Sequence, residues 1–153
     1  MISNNTINII DMIIGEIRND APVSSGALRK SISYTIQKDG NNFIINIKMN
    51  GYGIFQDQGV DGTKKSWGSP FKFNKMPPSS LLDKWVVKKG IAPRNAAGQF
   101  ISRKGLNFAI ARSIMENGIR PKNFIQPNID RSIDKLTNSI VNDIWNDFKN
   151  KIK

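Results

Sequence analysis

The last stretch of the chain, Pro127 to Lys153, constrains the fold most. Ile129, Ile133, Leu136, Ile140, Ile144, Phe148 and Ile152 recur at steps of three or four residues. Val141 and Trp145 widen the same stripe, while Asp130, Arg131, Asp134, Lys135, Asn138, Asn142 and Asp147 fall mostly on the other side. This is the pattern of an amphipathic helix about 40 Å long. A lone helix does not hold such a face in water, so the remainder of the chain must supply an apolar surface for it to cover.

The upstream sequence predicts what that surface is made of. Thr6 to Asn19 reads as a helix with Ile10, Ile13, Ile14 and Ile17 on one side, and Pro22 ends it by disfavouring a helical Ala21. Ser24 or Ser25 is placed to cap a short turn through Ala27, Leu28 and Arg29. Ser31 to Lys38 and Phe43 to Met49 alternate apolar and polar residues around Asp39-Gly40-Asn41-Asn42, which predicts a β-hairpin whose apolar face is the floor for the final helix. One or two further strands fit the pattern, Phe71-Lys72-Phe73 among them as a brief edge strand. A short helix or tight wrap is expected around Tyr52 and Phe55. Ser80 and Asp83 match a capping box opening a helix over residues 80–89 that Gly90 ends, and a further helix spans residues 105–117 with Gly118 as its cap. Pro127 suits the first turn of the last helix. The expectation is a single α+β domain over residues 1–153, an antiparallel hairpin or sheet covered by helices.

Composition removes several kinds of chemistry. The chain has neither cysteine nor histidine, which excludes disulfides, thiol chemistry, His-centred triads and zinc sites of the usual ligands. Its start lacks a signal-peptide pattern and no window is apolar enough to span a membrane, so it reads as a soluble chain with no membrane partner. Asp57 and Asp61 lie near glycines and read as turn-capping carboxylates rather than an acid–base pair. No nucleophile elbow, phosphate loop or dinucleotide fingerprint is present. The reading is of a non-enzymatic protein with no cofactor and no metal.

Charge gives the positive signal. There are 23 basic and 12 acidic side chains, a net charge of +11. Residues 1–59 are balanced, five against five, whereas residues 60–104 carry ten basic side chains against Asp61 and Asp83. Two segments in this third, 63–75 and 92–104, lack periodicity and read as basic, partner-facing and fixed by their neighbours. Contacts with a partner or with DNA are expected from Lys64, Lys65, Trp67, Phe71, Lys72 and Phe73, from Lys88 and Lys89, and from Arg94, Phe100, Arg103 and Lys104. Arg29 and Lys30 join them, presented by a turn that buries Leu28. Basic and aromatic side chains together suit either a nucleic-acid platform or an assembly interface.

Three short segments carry a family resemblance. Pro22-Val23-Ser24-Ser25-Gly26-Ala27-Leu28-Arg29-Lys30-Ser31-Ile32 resembles the P-x-D/S-T/S-G-x-L-R-x-S-I opening of small tailed-bacteriophage neck proteins, the head–tail joining or tail-completion components. Gly53 to Gly59 is similar to that family's Y-x-x-x-x-E/D-x-G segment, and Gly118 to Pro127 to its G-I-x-P link before the C-terminal helix. The three occur in the family's order over residues 21–127. Lys64 to Lys75 has no family counterpart. The resemblance implies an α+β subunit of a closed homo-oligomeric ring around the DNA channel of the virion neck, assembled in the host cytoplasm. Its neighbours would be portal or portal-adaptor proteins and tail-tube or tail-terminator proteins, with weak, non-specific contact to packaged double-stranded DNA. The competing reading is a DNA-binding protein that uses the central basic segment directly.

Overall fold

The computed structural model describes residues 2–24, 26–40 and 42–152, which form two compact units. One is discontinuous, residues 1–53 with 122–153; the other is residues 54–121. The architecture is α+β with a two-stranded antiparallel sheet.

In the discontinuous unit, helix α1 (Asn4–Asp20) starts at Ser3, whose side chain accepts the Thr6 N–H, and stops at Ala21, extended ahead of Pro22. Helix α2 (Ala27–Ser31) follows. The residue that precedes its first turn is Gly26 at φ +78°, and Ser25 lies outside the described residues. Glycine reaches that left-handed geometry at little cost. Strands β1 (Ser33–Asp39) and β2 (Asn42–Lys48) form the expected hairpin. Their register sets Tyr34 opposite Ile47 and Ile36 opposite Ile45 on one face. Helix α6 (Gln126–Ile152) closes the unit.

The core consists of Ile10, Ile13, Ile14 and Ile17 of α1 with Leu28, Ile32, Phe124 and Leu136, and the hairpin packs Tyr34, Ile36, Ile45 and Ile47 against it. Each fully buried isoleucine contributes roughly 1.5–3 kcal/mol. Arg18 donates to the Ile32 carbonyl at 2.9 and 2.7 Å, tying α1 to the entry of β1. The Tyr34 hydroxyl donates to Asp11 at 2.7 Å. That bond to a carboxylate, with burial, raises the Tyr34 pKa.

The final helix buries part of the expected stripe and, beside it, a polar row that spacing did not predict. Its main partner is α1, and the residues buried there are Asn128, Ser132, Leu136, Ser139 and Asp143. This row recurs at helical spacing beside the expected apolar stripe, whose upstream members Ile129, Leu136 and Ile140 do pack against the core. The two helices run antiparallel, since Ser3 and Thr6 meet Asp143 while Asp20 meets Asn128. The Thr6 hydroxyl donates to Asp143 Oδ2 at 2.7 Å, leaving its lone pairs to accept from Ser139 Oγ at 2.7 Å. Ser3 adds its N–H and hydroxyl to the same carboxylate at 2.9 and 3.0 Å. Asn128, Ser139 and Asp143 are buried here with hydrogen-bond partners, which offsets the cost of removing them from water.

The second unit holds α3 (Gly53–Gln58, whose first residue belongs to the other unit), a 3₁₀ turn (Ser79–Leu82), α4 (Asp83–Lys88) and α5 (Arg103–Asn117). The expected helix over residues 80–89 thus begins as a 3₁₀ turn, and neither segment has a side-chain cap, so the Ser80–Asp83 capping box does not form. Asp83 instead accepts from Asn107 Nδ2 at 3.0 Å. Gly90 adopts φ +63° at the end of α4, as read from sequence. Ser102 caps α5 through the Gly105 N–H, two residues earlier than expected. Lys72 of the expected Phe71–Phe73 strand forms only an isolated bridge with Asp61.

Candidate interaction surface

The first basic segment leaves a backbone joint between Val60, which directly follows Gly53–Gly59, and Ile119, within Gly118–Pro127. Val60 and Ile119 exchange backbone hydrogen bonds at 2.9 and 2.8 Å, although 59 positions separate them. The approach is so close that only glycine fits at three places. A Cβ on Gly59 would lie 2.5 Å from the Ile119 carbonyl oxygen, one on Gly62 would strike the Glu116 carbonyl, and one on Gly118 would strike that of Val60. Gly59 and Gly118 also sit at φ +72°.

From this joint the chain enters residues 63–75, which are pinned from within the unit rather than left for a neighbour to order. Thr63 N–H donates to Met115 O at 2.8 Å, and Lys64 N–H to Glu116 O at 2.9 Å. Asp61 is the hub. Its carboxylate accepts the Trp67 N–H at 2.6 Å, the Ser66 hydroxyl at 2.7 Å and the Ser69 N–H at 3.2 Å. The Trp67 bond and then the Ser66 bond hold its pKa below the usual carboxylate range. Its backbone pairs with Phe71 O and the Phe73 N–H at 2.8 and 2.9 Å. The turn-capping role expected of Asp61 is therefore met. Trp67 Nε1 donates to Asn117 O at 2.8 Å, and the Lys65 ammonium lies 4.1 Å from its ring centroid. Phe71 meets Phe55 edge-on at 4.7 Å.

Residues 92–104 likewise carry structure of their own. Ile101 N–H donates to Pro93 O and Asn95 N–H to Gln99 O, closing a small reverse turn. The Asn95 side chain accepts from the N–H groups of Ala97 and Gln99. Arg94 stacks 4.0 Å over Phe100, a ring that is 73% exposed. Arg103 and Lys104 open α5, against the helix dipole, so their placement does not serve that helix. Arg103 lies 3.7 Å from Asp83, an exposed pair worth little.

The charged residues picked from sequence separate into two groups. Lys64, Lys65, Lys72, Lys88, Lys89, Arg94, Arg103 and Lys104 are exposed on residues 54–121. Lys64 pairs with Glu116 at 3.0 Å, and Arg112 holds the other oxygen at 3.0 Å. These two bonds, Lys64 first, lower the Glu116 pKa. Arg29 belongs elsewhere. Its guanidinium donates to Ala21 O at 2.9 Å and Asn19 O at 2.6 Å, so it fastens the end of α1 instead of presenting charge, while Lys30 is exposed. The anchors Glu116, Asn117 and Arg112 were missed by sequence reasoning, because nothing in their spacing announces a partner fifty residues upstream.

Among the described residues no cluster of acidic side chains is arranged to hold a metal ion, and no helix is long and apolar enough to cross a membrane. Compared with family models, curated proteins and solved structures, the chain matches none.

Proposed function

We propose that the protein is a structural subunit of a tailed-phage neck, forming a closed ring around the DNA channel at the head–tail junction. The observation that carries the proposal is how charge is presented. Exposed lysines and arginines stand on segments pinned by their own unit, and the joint fixing the first pairs Val60, next to the Gly53–Gly59 segment, with Ile119 of the Gly118–Pro127 segment, both of which resemble neck proteins. A channel lining must meet a moving polyanion without gripping it, and exposed, salt-screened cations on a firm frame provide that. Repeated head-to-tail contacts between copies close into a ring when the rotation allows.

The aromatic side chains favour this over direct reading of single-stranded nucleic acid. Trp67 has its N–H committed and Lys65 over its face, and Phe71 is engaged with Phe55. Both rings are thus already engaged within the unit, which leaves them less free for base stacking. Native mass spectrometry with negative-stain imaging, on the chain alone and with its candidate portal-side and tail-side neighbours, tests the proposal. A ring of fixed copy number supports it. A monomer that binds a defined oligonucleotide tightly, with affinity lost when Lys64, Lys65, Lys88 and Lys89 are changed to Ala, overturns it.

A further inference from the structure

Helix α6 outruns its partner. The Ser3 N–H meets Asp143, so α6 passes the first turn of α1 at that level and continues to Ile152. On the side opposite Asp143, Val141, Trp145, Phe148 and Ile152 recur at steps of four, three and four, the seam spacing of a coiled coil. They are 56, 54, 52 and 67% exposed, and Trp145 stacks on Phe148 with centroids 5.8 Å apart. Upstream, the same seam turns polar at Asp134 and Asn138. The apolar seam is therefore bounded and mostly exposed, with the Lys149 ammonium 5.2 Å from the Trp145 centroid.

We propose that this seam pairs antiparallel with the same seam of a second copy. A two-fold axis between Asn146 and Asp147 sets Val141 opposite Ile152 of the second copy and Trp145 opposite its Phe148. All four layers are then filled by aliphatic–aliphatic and ring–ring pairs. The same register brings Lys149 beside Asn142 and Lys151 beside Ile144, so no lysine faces a lysine. A parallel pair would set Trp145 on Trp145 and gather Lys149, Lys151 and both negative helix ends at one end. Burying roughly 500 Å² from each copy gives about 1,000 Å², the lower limit for a specific interface, so dissociation on the order of 10 µM is expected. The two chains repel through their net charge of +11, so added salt tightens the pair. Contact with nucleic acid responds in the opposite sense. This two-fold contact is separate from the head-to-tail contacts of a ring and does not rest on the neck reading.

Sedimentation velocity from about 1 to 200 µM, in low and high salt, tests the pairing. The expected result is a monomer–dimer equilibrium tightened by salt. In Trp145→Glu/Phe148→Glu it should weaken at least tenfold with the helical circular-dichroism signal retained. The natural chain has no cysteine, so a mixture of Val141→Cys and Ile152→Cys chains under mild oxidation reads the register even if the double variant fails to fold. Mixed disulfide dimers are expected, with little self-crosslinking of either variant. A monomer at all concentrations overturns the proposal, as does an oligomer indifferent to the double variant or efficient self-crosslinking of a single-cysteine chain. Binding to phosphatidylglycerol vesicles by a chain that stays monomeric in solution also overturns it, assigning the seam to a lipid surface.

Discussion

Asp143 illustrates how a charged residue is kept inside a helix–helix contact. Burial pushes its pKa upward, but the Ser3 N–H and the hydroxyls of Thr6 and Ser3 outweigh this and hold it below the ordinary value. A carboxylate with a lowered folded pKa contributes stability that is complete above its unfolded value, about 3.9, and is lost as pH falls through the lower folded value. Urea unfolding followed from pH 7 to pH 2.5 should show this loss, with Asp61 and Glu116 contributing in the same direction. Asp143→Asn should cost about 1–3 kcal/mol at pH 7 and make the acid decline shallower. A decline as steep in the variant would remove Asp143 from the account. Glycine positions make the second residue-scale contrast. Gly118→Ala should destabilise by about 3 kcal/mol or more in thermal unfolding, because φ +72° and the Val60 carbonyl both oppose a Cβ. Gly68→Ala, at φ +74° with open space around it, should cost only about 1 kcal/mol.

Helices α1 and α6 differ in how completely the fold uses them. Gly15 lies in the interior of α1, and a Cβ there would meet nothing within 4 Å, so Gly15→Ala should stabilise by about 0.5–1 kcal/mol in thermal unfolding. Along α6, Leu136→Ala should cost about 2–5 kcal/mol. Trp145→Ala should cost under about 1 kcal/mol at concentrations where the subunit is monomeric, since that side chain is mostly exposed. Similar chemical-denaturation losses at the two positions would contradict the division of the helix into covered and uncovered parts. For the loops, Asp61→Ala removes the acceptor shared by Trp67, Ser66 and Ser69. Hydrogen exchange should quicken at the Trp67 and Ser69 amides while those of residues 95–101, held by Asn95 and Pro93, stay unchanged.

At the scale of the whole molecule, the basic segments and the apolar seam of α6 belong to different units. The exposed cations of residues 60–104 stand on the second unit, whereas the uncovered seam belongs to α6 of the first. A polyanion and a second copy of the chain therefore call on different side chains, and salt acts on them in opposite directions. Duplex DNA binding by anisotropy should be weak, should fall with salt, and should survive Trp145→Glu/Phe148→Glu with at most a modest loss from the added negative charge. Abolition of DNA binding by that variant would mean the two surfaces are one.

Periodicity alone determined the α+β class, the hairpin, and helices close to α1, α5 and α6, because local spacing of apolar residues records which side of an element faces a core. The exclusion of thiol and histidine chemistry and the concentration of charge in residues 60–104 were equally open to reading. The upstream part of the α6 stripe, Ile129, Leu136 and Ile140, was legible, but the polar row buried beside it and the exposed downstream end were not. The polar row contains Ser139 and Asp143, residues that spacing rules assign to solvent until Ser3 and Thr6 meet them. The pinning of residues 63–75 was hidden for the same reason. Asp61 caps a turn from nearby, but Met115, Glu116 and Asn117 reach that loop only after Val60 and Ile119 have paired. Hydrogen bonds between residues far apart in sequence have no local period, so tertiary structure alone decides them.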